Sequence, residues 1–95
     1  PSTTTILTDE ITSVIEKYSD KRIGVIQLSP ATLPSFVIAV ETLSQTGNLE
    51  EAAKNLYAAM HRLDHQNLDF IIAQKMPTVG MGLAINDKLE RAATT

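Results

Sequence analysis

No cysteine occurs anywhere in these 95 residues. Its absence excludes a disulfide scaffold and a thiolate metal centre, and it accords with a cytosolic address. Tryptophan is also missing, and aromatics are only 4% of the chain, too few for the stacking platforms that grip single-stranded nucleic acid. There is no excess of basic charge. The net charge is −3 and the pI about 5.2, whereas a domain that grips nucleic acid usually presents a basic face. Direct nucleic-acid binding is therefore not expected. No apolar run approaches the ~20 residues of a membrane span, and no signal peptide precedes the first element. The chain opens on Pro1 with no methionine, so it is expected to be a piece of a longer polypeptide with partner domains outside it.

What remains is 43% apolar and 20% charged, an ordinary globular composition, enough for one domain over residues 1–95 with a modest core. The stretch Asn48–Ala93 organises it. Leu49, Ala52, Ala53, Leu56, Met60 and Leu63 fall on one helical stripe, and the spacing predicts a helix over Leu49–His65. Asn48 followed by Glu51 resembles a capping box, and Glu50 and Lys54 form an i,i+4 pair in the favourable order. Asp69–Ala73 is apolar without alternation, as suits a strand buried on both faces. A last helix is expected over Gly82–Ala93, with Met81, Ile85, Leu89 and Ala92 as its stripe.

Ahead of this stretch, Thr3–Leu7 reads as a first strand. Thr8-Asp9-Glu10 opens a helix expected near Asp9–Ser19, with Ile11, Val14, Ile15 and Tyr18 inward. Arg22–Leu28 is a second strand, in which Gly24 suggests close backbone approach or weak packing. Pro30 and Pro34 hold Ser29–Ser35 extended, and Phe36–Val40 reads as a third strand. The order β-α-β-loop-β-α-β-α implies a Rossmann-like, open, mostly parallel four-stranded sheet flanked by three helices. Ser29–Ser35 spans roughly 23 Å when extended. A diagonal return past one strand needs about 20 Å. Strand order 2-1-3-4 is thus feasible, and an antiparallel third strand is the competing arrangement.

Candidate chemistry is sparse. His61 and His65, four apart on a helix, could share a zinc ion, but the residues between them lack the metalloprotease glutamate. Gly80-Met81-Gly82 opens a helix after a strand, where free N–H groups can hold an anion. The third glycine of a dinucleotide fingerprint is absent, and a turn requiring positive φ accounts for the pattern. Ser29, Ser44 and Thr46 lie near strand ends without a histidine at a spacing that suggests a triad. Asp9, Glu10 and Glu41 could meet as paired carboxylates above the sheet edge, or serve as caps and surface charges. No catalytic, cofactor or metal residue is assigned.

The string Asn55-Leu56-Tyr57-Ala58-Ala59-Met60-His61-Arg62-Leu63-Asp64 resembles a motif in the C-terminal domain of the two-domain threonylcarbamoyl-AMP synthases. The closing string Gly80-Met81-Gly82-Leu83-Ala84-Ile85-Asn86-Asp87-Lys88-Leu89-Glu90-Arg91-Ala92-Ala93 is similar to that domain's ending, and Arg22-Ile23-Gly24-Val25-Ile26 to its glycine-valine strand. The resemblance implies an accessory domain of a cytoplasmic protein. In that family a separate YrdC-like catalytic domain of the same polypeptide uses ATP, threonine and bicarbonate to make threonylcarbamoyl-AMP, the donor for tRNA threonylcarbamoyladenosine modification. The lysine- and arginine-rich nucleotide pocket of that domain has no counterpart here, so no catalytic residue carries over. A freestanding ligand- or nucleotide-binding module is the other reading. Since partners of open α/β sheets meet the carboxyl ends of strands, the expected interdomain contact is Pro77, Val79, Gly80, Met81 and Gly82, beside the apolar Met76, while the rim near Asp20-Lys21 and Asn67-Leu68 is expected to face solvent.

Overall fold

The structure, a computed structural model, describes residues 2–93. Its elements in order are β1 (Thr4–Thr8), α1 (Ile11–Lys17), β2 (Ile23–Gln27), β3 (Ala39–Thr42), α2 (Leu49–Asp64), β4 (Phe70–Gln74) and α3 (Met81–Ala93). The strands form one fully parallel sheet in the order β1-β4-β2-β3. No described helix is long and apolar enough to cross a membrane.

The expected α/β class holds and the third strand is parallel, but the order 2-1-3-4 is corrected. β4 inserts between β1 and β2, and β3 lies directly beside β2. The error traces to the apolar run Phe36–Val40. Only its last two residues enter β3, so the link from β2 occupies residues 28–38 and crosses a single strand gap. Leu33, Phe36 and Val37 instead pack onto Ile15, Ile23, Val25 and Ile72, covering the sheet where a crossover helix would lie. A turn closed by Val37 N–H donating to the Pro34 carbonyl (3.1 Å) turns those side chains inward.

Alternation along the two inner strands defines the layers. Ile23 and Val25 of β2 and Ile72 of β4 face α1. Ile26 of β2 and Ile71 and Ala73 of β4 face Leu56, Leu63, Ile85 and Leu89 of α2 and α3. The chain steps one way across the sheet from β1 to β3 and then back to β4, so crossovers of one hand must put α1 and α2 on opposite faces. Gly24 sits where α2 comes closest. A Cβ there would lie 2.6 Å from Leu68 Cδ1 and 3.1 Å from Leu63 Cδ2, so close approach is the reason for this glycine.

Helix α1 is shorter than expected. Thr8 Oγ1 accepts the Glu10 N–H (2.9 Å), which holds Asp9 and Glu10 in a turn ahead of the first helical residue, and no acid lies in the first turn. Helix α2 follows its stripe, with Ala52, Leu56, Ala59 and Leu63 buried. The Glu50–Lys54 pair is not formed among the described ion pairs.

The end of α2 carries an acid, Asp64, where the helix dipole disfavours one. Its position is explained by the start of β1. Asp64 Oδ1 accepts from Ser2 N (3.0 Å), Thr3 N (2.9 Å) and Thr3 Oγ1 (2.7 Å), and the Ser2 hydroxyl also donates to the carboxylate. These bonds, the Thr3 hydroxyl foremost, hold the Asp64 carboxyl well below the usual carboxylate range. A depressed folded value means stability that is present above the unfolded value of ~4 and lost as pH falls below it. Asp64→Asn is therefore expected to lower stability by about 1–2 kcal/mol at neutral pH. Urea titrations at several pH values should show the variant and wild-type curves converging below pH ~4. Curves that stay parallel into acid would refute the assignment.

Candidate interdomain surface at the strand carboxyl ends

Two loops at the carboxyl rim border an open groove: residues 43–48 after β3 and 75–80 after β4. The first is a hydrogen-bonded turn. Asn48 Oδ1 accepts the Glu51 N–H (2.8 Å) as the expected cap. The reciprocal half of the capping box is replaced by a relay, in which Ser44 Oγ accepts the Asn48 N–H (2.9 Å) and donates to Glu51 Oε1. Ser44 is buried, with its hydroxyl committed to this relay rather than held beside a histidine. Gly47 at φ +74° completes the turn.

The second loop is fixed from below. Buried Asn86 accepts the Met76 N–H at Oδ1 (2.7 Å) and donates from Nδ2 to the Met76 carbonyl (2.9 Å), occupying both backbone groups of one residue. Met76 is only 2% exposed, so it folds into the core. Gly80 adopts φ +50°, as the positive-φ reading of this turn requires. Gly82 is buried for a different reason: the Pro77 carbonyl oxygen occupies the space a Cβ would take. It packs the turn and presents no surface to a partner. The inward stripe of α3 is therefore Gly82, Ile85, Asn86 and Leu89, shifted from the expected Met81, Ile85, Leu89 and Ala92.

That shift leaves apolar side chains outside. Val79 is 62% exposed, Met81 41% and Leu83 55%, with Pro77 and Gly80 also exposed. Between the starts of α2 and α3 lies an open groove of about 460 Å³, lined by Gly47, Asn48, Leu49, Glu50, Val79, Gly80 and Met81. Beside it Thr46, Glu51, Lys54 and Asn55 line a more polar depression of about 520 Å³. Of the expected contact residues, Pro77, Val79, Gly80 and Met81 share this rim. Leu83 is exposed as well, but two residues after Met81 on α3 it lies on a different side of the helix; its signal was an apolar residue off the stripe in the first turn. An anion would find little here. Gly82 N–H and Leu83 N–H donate to the Val79 and Gly80 carbonyls, Asn48 and Glu51 N–H are capped, and Glu50 lines the groove.

The other sequence candidates are dispersed. Glu41 lies on β3 and Asp9 and Glu10 follow β1, at opposite edges of the sheet, so these carboxylates do not meet. Glu41 instead accepts from Arg62 Nε (2.9 Å) and Nη2 (2.7 Å). His65 donates from Nδ1 to the His61 carbonyl (2.8 Å), and among the described residues no three His, Asp or Glu gather to hold a metal.

Compared with known protein families, residues 1–94 match the one described as Threonylcarbamoyl-AMP synthase, C-terminal domain. The chain belongs to this family. The domain is 32% identical over 87 residues to the threonylcarbamoyl-AMP synthase of Bacillus subtilis, covering 90% of this chain and 25% of that protein. It is 36% identical over 45 residues to the enzyme of the same name from Pyrococcus abyssi, covering 47% of this chain and 13% of the other. Two structures of P. abyssi Sua5 share its fold. A double alanine variant superposes with a TM-score of 0.82 at 27% identity, covering 99% of this chain and 28% of that one. A complex with L-threonine gives 0.79 at 27% identity, covering 99% and 29%. The chain thus spans about a quarter of the length of these relatives.

The two glycines of the rim can be told apart experimentally. Gly82→Ala must displace the Pro77 backbone and is expected to cost about 2–3 kcal/mol. Gly80→Ala meets no atom within 4 Å and carries only the left-handed backbone penalty of about 1 kcal/mol. Urea unfolding of the two variants should give that ranking; the reverse ranking would show that the Pro77 contact does not shape the turn.

Proposed function

We propose that this chain is the accessory domain of a cytoplasmic threonylcarbamoyl-AMP synthase, positioning or gating a YrdC-like catalytic domain of the same polypeptide. In this reading the catalytic domain uses ATP, threonine and bicarbonate to make the donor for tRNA threonylcarbamoyladenosine modification, and this domain binds neither cofactor nor tRNA. Membership of the family supports it, together with the chain's share of its relatives' length. The observation that carries the role is the rim. Val79 and Met81 leave apolar surface at a groove, and the one charged side chain of its lining, Glu50, has no cationic cluster beside it there suited to nucleotide chemistry. An adaptable methionine among exposed aliphatic residues suits contact with another protein surface.

Two measurements test this. The purified chain, given ATP, threonine and bicarbonate, is expected to release no pyrophosphate; release that tracks the chain through purification would overturn the accessory role. Amide shifts of the labelled domain, recorded as the catalytic domain and its linker are added, are expected to move at residues 46–50 and 77–83. Changes confined to the Asp20 and Asn67 rim would remove the proposed surface.

A further inference from the structure

Helix α2 carries a second exposed feature, on its outward side and at the other end of the molecule. Tyr57 is 79% exposed, the most open large hydrophobic side chain among the described residues. Its ring stacks nearly parallel to His61 (centroids 6.3 Å, 14°), and His61 in turn lies 4.5 Å from His65. These residues recur at i, i+4 and i+8, so their rings form a ladder along one helix face. Nothing in the fold requires it. Most other residues of the Asn55–Asp64 string have a structural role: Asn55 Nδ2 donates to the Leu43 carbonyl (2.8 Å), Leu56, Ala59 and Leu63 are core with Met60 packed against it, Arg62 pairs with Glu41, and Asp64 holds Ser2 and Thr3.

That last tie fixes where preceding chain arrives. Asp64 anchors Ser2 and Thr3, and Asp64 also lines a depression of about 140 Å³ with Tyr57, Met60 and His61. Any polypeptide leading into this domain is delivered at its edge. On the accessory-domain reading, in which the chain corresponds to about a quarter of its relatives' length, the catalytic domain connects here. Two turns of α2, Asp64 back to Tyr57, cover about 10 Å, a distance that three or four extended residues span.

We propose that the segment immediately preceding Ser2 in the full-length polypeptide, the interdomain linker, runs extended along α2 and docks on the Tyr57–Met60–His61 surface. The inference rests on the accessory-domain reading. Tyr57 and His61 supply flat apolar faces for packing against a chain with few side-chain constraints, and the Asp64 hydrogen bonds set its entry direction. Docking restricts the linker before it reaches the catalytic domain, so this domain would act on its partner through the linker as well as across the rim.

The test is hydrogen exchange on the full-length polypeptide, wild type against Tyr57→Ala, His61→Ala and Tyr57→Phe. Linker amides within about four residues of Ser2 should exchange about fivefold faster in the two alanine variants, as loss of one aromatic contact implies. Tyr57→Phe keeps the ring and should keep the protection. Both side chains are exposed, so the thermal midpoint should barely move, which separates undocking from unfolding. Equal linker exchange in wild type and both alanine variants would overturn the docking while leaving the accessory reading intact. Protection that vanishes on dilution would also overturn it, assigning the ladder to a second copy of the chain. A native reading frame with no synthase domain upstream would overturn both.

Discussion

The two inner strands, β2 and β4, have strand partners on both edges and side chains buried on both faces. A strand so placed leaves no side to water, so its residues are apolar, small or, like buried Gln27, hydrogen-bonded, and each face needs separate cover. The rest of the chain satisfies that demand. Helices α2 and α3 cover one face. On the other, α1 reaches only part of the sheet, and the proline-held loop supplies Leu33, Phe36 and Val37 for the remainder. Gly24 follows from the same constraint: with α2 pressed against β2, the side chains of Leu63 and Leu68 use the space a Cβ would need.

The outer strands β1 and β3 have only one partner each, and the last turn of α2 compensates for both. Arg62 reaches Glu41 on β3 through two hydrogen bonds, Asp64 takes up the backbone leading into β1, and Leu63 between them is fully buried. Three consecutive residues thus join one helix end to both edges of the sheet and to its core. The Arg62–Glu41 pair is exposed on the arginine side, and such surface pairs add little to stability. It supplements the β2 ladder and the Gln27 bond to Thr42 in holding the four-residue edge strand.

The three helices were legible from periodicity, since a stripe such as Leu49, Ala52, Leu56 and Leu63 has one solution, and three strands were legible as apolar runs; the other, β3, was expected at Phe36–Val40 and lies at Ala39–Thr42. Strand order was not legible by the route taken, which weighed loop length. Composition marked one edge only: three of the five residues of Thr4–Thr8 are threonine, and that strand stands at an edge. The longest apolar run, Phe36–Val40, misled, because most of it packs onto the sheet as a loop instead of entering it. At the rim, four of the expected contact residues are exposed, but Gly82 is not. Its burial depends on where the Pro77 carbonyl lies, a contact between backbone atoms that leaves no trace in hydrophobic pattern. Asn86 was hidden for the opposite reason: a polar residue inside an apolar stripe looks like an interruption until both of its hydrogen bonds to Met76 are seen.

The rim and the ladder lie toward opposite ends of α2, and this spacing constrains any account of how the domain works. A linker entering at Asp64 arrives at the amino ends of the strands, while Val79, Met81 and the groove beside Asn48 are at the carboxyl ends. The helix between them is 16 residues long, or about 24 Å. On the accessory-domain reading, a linker that returns along that length toward the rim needs seven or eight extended residues. A linker free in solution would meet this requirement in a small fraction of its conformations, because closing a flexible loop has an entropic cost. A linker laid along Met60, His61 and Tyr57 already points from Asp64 toward Asn48. Under the proposed docking, contact with the ladder would therefore restrict the search that contact at the rim requires.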